Sequence, residues 1–244
     1  MSKRSLPILC LALGLFAASA ATADTITFQE GGLLPGGGTY TGTQDTEIAG
    51  AASGSSFGSL DTIRSDQLDP TSGGAEVQAL LRFDGLFGAL PDQIPLGSTI
   101  NSAVITFFAT NASSSPTGNI AIYQMTSNWN ENSTWDSLTN GVQIGSETVA
   151  SADDVNSVVF ANTTMTLDVL ASLQAWLGGD TNFGWVITND STDGVQFSSS
   201  EAATGANRPM LTVNFTPVPE PGSLLLTGLT GAAALCLRRL RLFR

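Results

Sequence analysis

Residues 102–110 read SAVITFFAT. Six of the nine are β-branched or aromatic, the types that fit a pleated, half-buried surface. Gly97-Ser98 precede the run, and the polar stretch 111–118, which contains proline and glycine, follows it. Turn signals on both sides of such a run mark a strand. Working outward, NIAIYQMT (119–126) alternates, with Ile120 and Ile122 on one face and Tyr123 and Met125 on the other. ALLRFDG (79–85), GWVITND (184–190), GVQF (194–197) and PMLTVNF (209–215) continue the pattern between turn residues. Short strands at such spacing predict an all-β fold, an antiparallel β-sandwich.

One segment breaks the two-residue period. DVLASLQAWLGG (168–179) spaces Val169, Leu170, Leu173, Trp176 and Leu177 as a helix does. Asp168 fits its N-cap and Gly178-Gly179 its stop, so one short helix is expected against an end of the core. Residues 31–58 are rich in Gly, Ser and Thr, and 24–44 read as a flexible lead-in. No internal repeat is visible, and residues 45–216 form the one expected domain.

Composition narrows the function. The chain has no histidine, and its two cysteines, Cys10 and Cys236, lie in the end segments. Ser-His-Asp and Cys-His catalysis and Cys/His zinc sites are thereby excluded. Between Asp24 and Glu220 there are three arginines, no lysine and 21 carboxylates, a formal charge of −18. Nucleic acid as a partner is excluded too, since its binding needs Lys and Arg to displace counterions.

The ends differ from the middle. Lys3-Arg4, the apolar run Leu6–Phe16 and Ala21-Thr22-Ala23 have the layout of a secretory signal peptide over residues 1–23. Residues 217–244 hold Pro219-Glu220-Pro221, an apolar run Gly222–Leu237, and arginines at 238, 239, 241 and 244. Sixteen helical residues span about 24 Å, short of the ~30 Å hydrocarbon core. The arginines support a membrane span all the same, because they stay on the cytoplasmic side.

This order of Pro-Glu-Pro, short apolar helix and terminal arginines resembles the PEP-CTERM sorting signal. The resemblance implies that Pro219, Glu220, Pro221, Arg238 and Arg239 belong to a tail read in the inner membrane by an exosortase. The tail is then removed, and the protein passes to the cell surface or extracellular biofilm matrix of a Gram-negative, exopolysaccharide-producing bacterium. The middle resembles a second family, the DNRLRE domain, which overlaps carbohydrate-binding modules described for alginate and related polysaccharides. The matching stretches are DTEIAG (45–50), FGSLDTIRSD (57–66), ALLRFDG (79–85), PLGSTINSAVITF (95–107), WNENSTW (129–135), LDVLASLQAWLGGDTNFGW (167–185) and FSSSEAATGANRPMLTVNF (197–215). The hexapeptide that names the family is absent. The resemblance implies a jelly-roll β-sandwich.

Tryptophan and arginine are the natural site candidates. Indole rings stack on sugar faces, but they also fill cores. Trp176 and Trp185 sit on apolar faces and are read as core. Trp129 and Trp135 flank the polar loop 130–134 and are the glycan-platform candidates, with core packing the competing and heavier reading. Arg64, Arg82 and Arg208 are the only cations available for a uronate; a structural clasp, such as Arg208 with Glu201, is the weightier alternative. Asp190 and Asp193 in one turn, and the pair Asp153-Asp154, offer oxygens to a structural calcium. No two carboxylates stand out as a glycosidase pair, and Tyr40 and Tyr123 are the only tyrosines a lyase could use. The expectation is a non-catalytic exported protein associating with polysaccharide. A calcium-dependent matrix protein or adhesin without a glycan is the alternative, and a lyase or hydrolase stands behind both.

Overall fold

The computed structural model describes residues 21–69, 74–112, 118–157, 161–191 and 194–218. The leader's apolar run, the sorting motif at 219–221 with its arginines, and Asp193 lie outside the described residues. Among those described, no helix is long and apolar enough to cross a membrane. Ala23–Pro217 form one compact unit.

The opening stretch lies in β5 (Thr99–Ala112), the longest strand. Its period of two is visible in burial: Ala103, Ile105, Phe107 and Ala109 are fully buried, and the residues between them are half-covered. Both edges of β5 are occupied. Val104 pairs with Thr212 of β11 (Met210–Thr216) on one side and with Asp168 of β8 (Thr163–Asp168) on the other. Further along, β5 pairs with β10 (Val195–Ser198). β1 (Asp24–Gln29) closes this half by pairing with β11.

The second half contains β2 (Thr43–Ala49), β4 (Ala75–Phe83), β9 (Trp185–Asn189), β6 (Ile120–Gln124) and β7 (Asp154–Asn156), side by side in that order. β3 (Thr62–Asp69) joins the halves. Thr62–Ser65 pair with β10, while Asp66 and Asp69 pair with Val77 and Ala75 of β4. Every pairing between strands is antiparallel, so the result is one curled antiparallel sheet whose two halves enclose the main core. Ile26, Phe28, Ile105, Phe107 and Leu211 enter that core from the first half, and Leu81, Phe83, Ile122, Trp185 and Ile187 from the second. Phe107 and Phe197 meet with ring centroids 4.9 Å apart, and Trp176 and Trp185 at 4.6 Å.

The expected helix is α1 (Leu170–Leu177). Asp168 does cap it, one residue earlier than the N-cap position: its Oδ1 accepts from the Leu170 N–H at 2.8 Å. Val169 N–H bonds Ala103 O at 2.9 Å, which pins the helix start to β5 while Leu173 and Trp176 enter the core.

Two features differ from expectation. The lead-in 24–44 contains β1, because Thr25–Gln29 alternate and place Ile26 and Phe28 in the core. Tyr40 is also buried, with its ring 5.2 Å from Phe28. The second difference is β4, which is covered on both faces. Ala79, Leu81 and Phe83 face the main core, while Leu80 joins a second cluster on the outside of the sheet. There residues between Met125 and Val142 fold over β2, β4 and β9, packing Met125, Trp129, Leu138 and Val142 on Ile48, Leu80 and Val186.

Candidate carbohydrate-binding site

The tryptophans sit as follows. Trp129 is 2% exposed, its Nε1–H donates to Phe183 O at 2.6 Å, and the Arg82 guanidinium covers its ring at 5.3 Å. Neither ring face is open to a sugar. Trp135 is half-buried against the same outer cluster, and Gly141 (φ +87°) runs so close to it that a Cβ there would meet the indole at 2.5 Å. Trp176 and Trp185 are in the main core, as expected.

Each arginine has internal work. Arg64 bonds the buried Glu47 carboxylate through Nη2 at 2.6 Å. Arg82 donates to Gln44 Oε1 at 2.7 Å and to Trp129 O at 3.1 Å. Its Nε lies 3.0 Å from Asp84 Oδ1, close enough for an ion pair though not aligned for a hydrogen bond. Arg208 holds two carbonyls, Ala202 O at 2.8 Å and Glu30 O at 3.1 Å. Among the described residues, no ion pair joins Arg208 to Glu201.

The acidic candidates are likewise engaged. Asp153 Oδ2 accepts from Ser172 Oγ and, at 3.0 Å, from Trp185 Nε1. Burial pushes its carboxyl up, and those two hydrogen bonds oppose the rise. Asp154 accepts from the backbone of Val155 and Asp168. Asp190 Oδ2 accepts from Asn119 Nδ2 at 2.7 Å. Among the described residues, no group of three or more acidic side chains is arranged to hold a metal ion. Tyr40 donates to Asp84 O at 2.8 Å; burial, and then the Asp84 and Glu30 carboxylates, push its phenol far above the usual range.

A groove of about 490 Å³ opens on the outer face of β4, β9, β6 and β7, beside the second cluster. This volume falls in the usual range for ligand pockets. Its floor follows from register: Ala121 pairs with Thr188, and Tyr123 with Val186, so Ala121, Tyr123 and Thr188 point to the same outer side. Exposed Ile144 and Val155 form apolar walls, 42% and 52% open. Five amides, Gln67, Gln78, Asn119, Gln143 and Asn189, and two carboxylates, Glu76 and Asp190, supply the polar lining. Gln78 is spent on rigidity: its Oε1 accepts from Val142 N–H at 2.7 Å, and its Nε2 donates to Glu76 Oε1 at 2.9 Å. The side chains of Gln67, Tyr123 and Thr188 have no hydrogen-bond partner among the described residues. An apolar ring, two apolar walls and unpartnered amide and hydroxyl groups match the mixed C–H and O–H surface of a sugar.

Residues 38–215 match the profile of carbohydrate-binding module family 96. The chain belongs to that family. No curated protein matches it. A family-96 domain is a binding module, which is compatible with a non-catalytic role. In this family-96 chain the groove takes its lining from β3, β4, β6, β7, β9 and the 142–144 turn. No contiguous motif announces such a site. The one local signal is the outward position of Tyr123, next to the apolar run Ile120–Ile122.

Proposed function

We propose that this chain is an exported, non-catalytic protein that holds polysaccharide in the groove around Tyr123. The observation that carries the reading is this amphipathic groove, with its unpartnered Tyr123, Gln67 and Thr188, on a family-96 domain. The curled sheet is read as the jelly-roll β-sandwich of the family resemblance. Tyr123 is the stacking platform, and Gln67 and Thr188 supply hydrogen bonds that no group among the described residues already takes. Native gels cast with polysaccharide test this on Ala23–Pro217, a unit that contains every described strand and its own core. Retardation is expected for the parent. Tyr123→Ala should weaken it roughly tenfold or more, the ~1.4 kcal/mol expected for loss of one stacked ring. An unretarded parent across the panel sinks the reading.

Export and sorting rest on sequence: the leader at 1–23, Pro219-Glu220-Pro221, and the arginine cluster. The inner membrane and an exosortase are the processing partners, and the cell surface or matrix is the destination. In an exosortase-bearing Gram-negative host, the mass of the surface-associated protein should lack residues 1–23 and end near Pro219. Replacing Arg238 and Arg239 with alanine should leave uncut precursor in the membrane fraction. Full-length chain folded in the cytosol would contradict this address.

A further inference from the structure

The groove has a charge as well as a shape. Its described lining includes Glu76 and Asp190 and neither lysine nor arginine. A uronate polymer carries one carboxylate per sugar and needs cations at the contact to offset repulsion. The three arginines between Asp24 and Glu220 are all held elsewhere: Arg64 on Glu47, Arg82 between Gln44 and Trp129, and Arg208 on two carbonyls. None of them lines the groove. The remaining field is also repulsive, with 21 carboxylates against those three arginines.

We propose that the ligand of this groove is an uncharged polysaccharide and not a uronate polymer. The proposal rests on the groove reading given above. Its chemistry runs in one direction. Sugar hydroxyls donate to carboxylate and amide oxygens, so Glu76, Asp190 and the Gln67 amide are useful to a neutral chain. The same carboxylates face a uronate as like charges. Tyr123, Ile144 and Val155 offer apolar area to the C–H faces of an uncharged sugar at no cost in charge desolvation. The alginate preference implied by the sequence resemblance has no cationic counterpart in this groove.

The test uses Ala23–Pro217 in native gels cast with mixed-linkage β-glucan, galactomannan or dextran, and with alginate or polygalacturonate. Gels are run in EDTA and again with calcium. At least one uncharged glycan should retard the protein, with affinity higher than for either uronate by about tenfold or more, equivalent to ~1.4 kcal/mol. That retardation should persist when salt is raised, because no ion pair is being screened. Tyr123→Ala should weaken it by the same roughly tenfold or more. Gln67→Ala, at an exposed and unpartnered position that the fold does not need, should weaken it several-fold. Equal or stronger retardation by a uronate, with or without calcium, that Tyr123→Ala still weakens would overturn the uncharged ligand and leave the groove reading standing. Retardation that ignores both substitutions, or none in any gel, would remove the groove reading and this proposal together.

Discussion

Trp129→Ala should lower the stability of the domain by about 3–5 kcal/mol, the range for deleting a large buried aromatic ring. The ring is the centre of the outer cluster that fastens the 125–142 segment to β2, β4 and β9. Its loss would also uncover Arg82, whose guanidinium lies against it and donates to its carbonyl. Against a total stability of about 5–15 kcal/mol, this is a large fraction. Chemical denaturation at neutral pH measures it. Trp129→Phe separates packing from ligand contact. It keeps an aromatic ring but removes the 2.6 Å bond to Phe183 O, so about 1 kcal/mol should be lost while glycan retention stays at the parental level. If Trp129→Phe kept full stability and lost glycan retention, the indole would be a ligand contact and the structural account of it would be wrong.

Mild acid should stabilise this protein, and Asp45 is the main reason. Asp45 is fully buried on β2. Its Oδ2 accepts from Ser200 N–H at 2.7 Å, while Oδ1 has no partner. Burial, and then repulsion from Glu201, push its carboxyl up from the usual 3.8 to about 7, with the Ser200 bond opposing and Glu131 adding to the rise. A carboxyl whose folded value is raised binds its proton more tightly when folded. Its contribution is therefore complete below the unfolded value and is lost as pH climbs from about 4 to about 7. The full swing is up to about 4 kcal/mol. Glu131 and Asp153 are also raised, chiefly by burial, and act in the same direction. Denaturation midpoints should thus be higher at pH 5 than at pH 8. Asp45→Asn should be more stable than the parent at pH 8 and should flatten most of the slope. A variant with the parental slope would show that Asp45 is ionised without penalty.

Much of the fold could be read along the chain, and most of the site could not. SAVITFFAT, NIAIYQMT and PMLTVNF are strands because burial follows their period of two, and 168–179 is a helix because its apolar residues repeat at three and four. β1 escaped notice because DTITFQ is short and adjoins a glycine-rich stretch; only pairing with β11, nearly the whole chain away, makes it a strand. Arginine and tryptophan drew attention through rarity and through their usual roles with sugars. Rarity did not reveal that Arg82 and Trp129 lie against each other, one face of the ring under the guanidinium. The groove depends on five strands and one turn meeting in space. Its amides are ordinary in the sequence, and they become a site only when the Ala121–Thr188 register and the Gln78–Val142 bonds bring them together.

The most direct test is to map the bound sugar by amide chemical shifts of labelled Ala23–Pro217, titrated with an oligosaccharide of whichever uncharged glycan retards it. The largest shifts should fall on Ala121, Tyr123, Gln143, Thr188 and Asn189, with Ser200, Ala202 and Arg208, which do not line the groove, unmoved. Shifts centred on Trp135 or Arg208, or a titration that leaves Tyr123 and Thr188 unchanged, would contradict the groove as the place where this module meets its ligand.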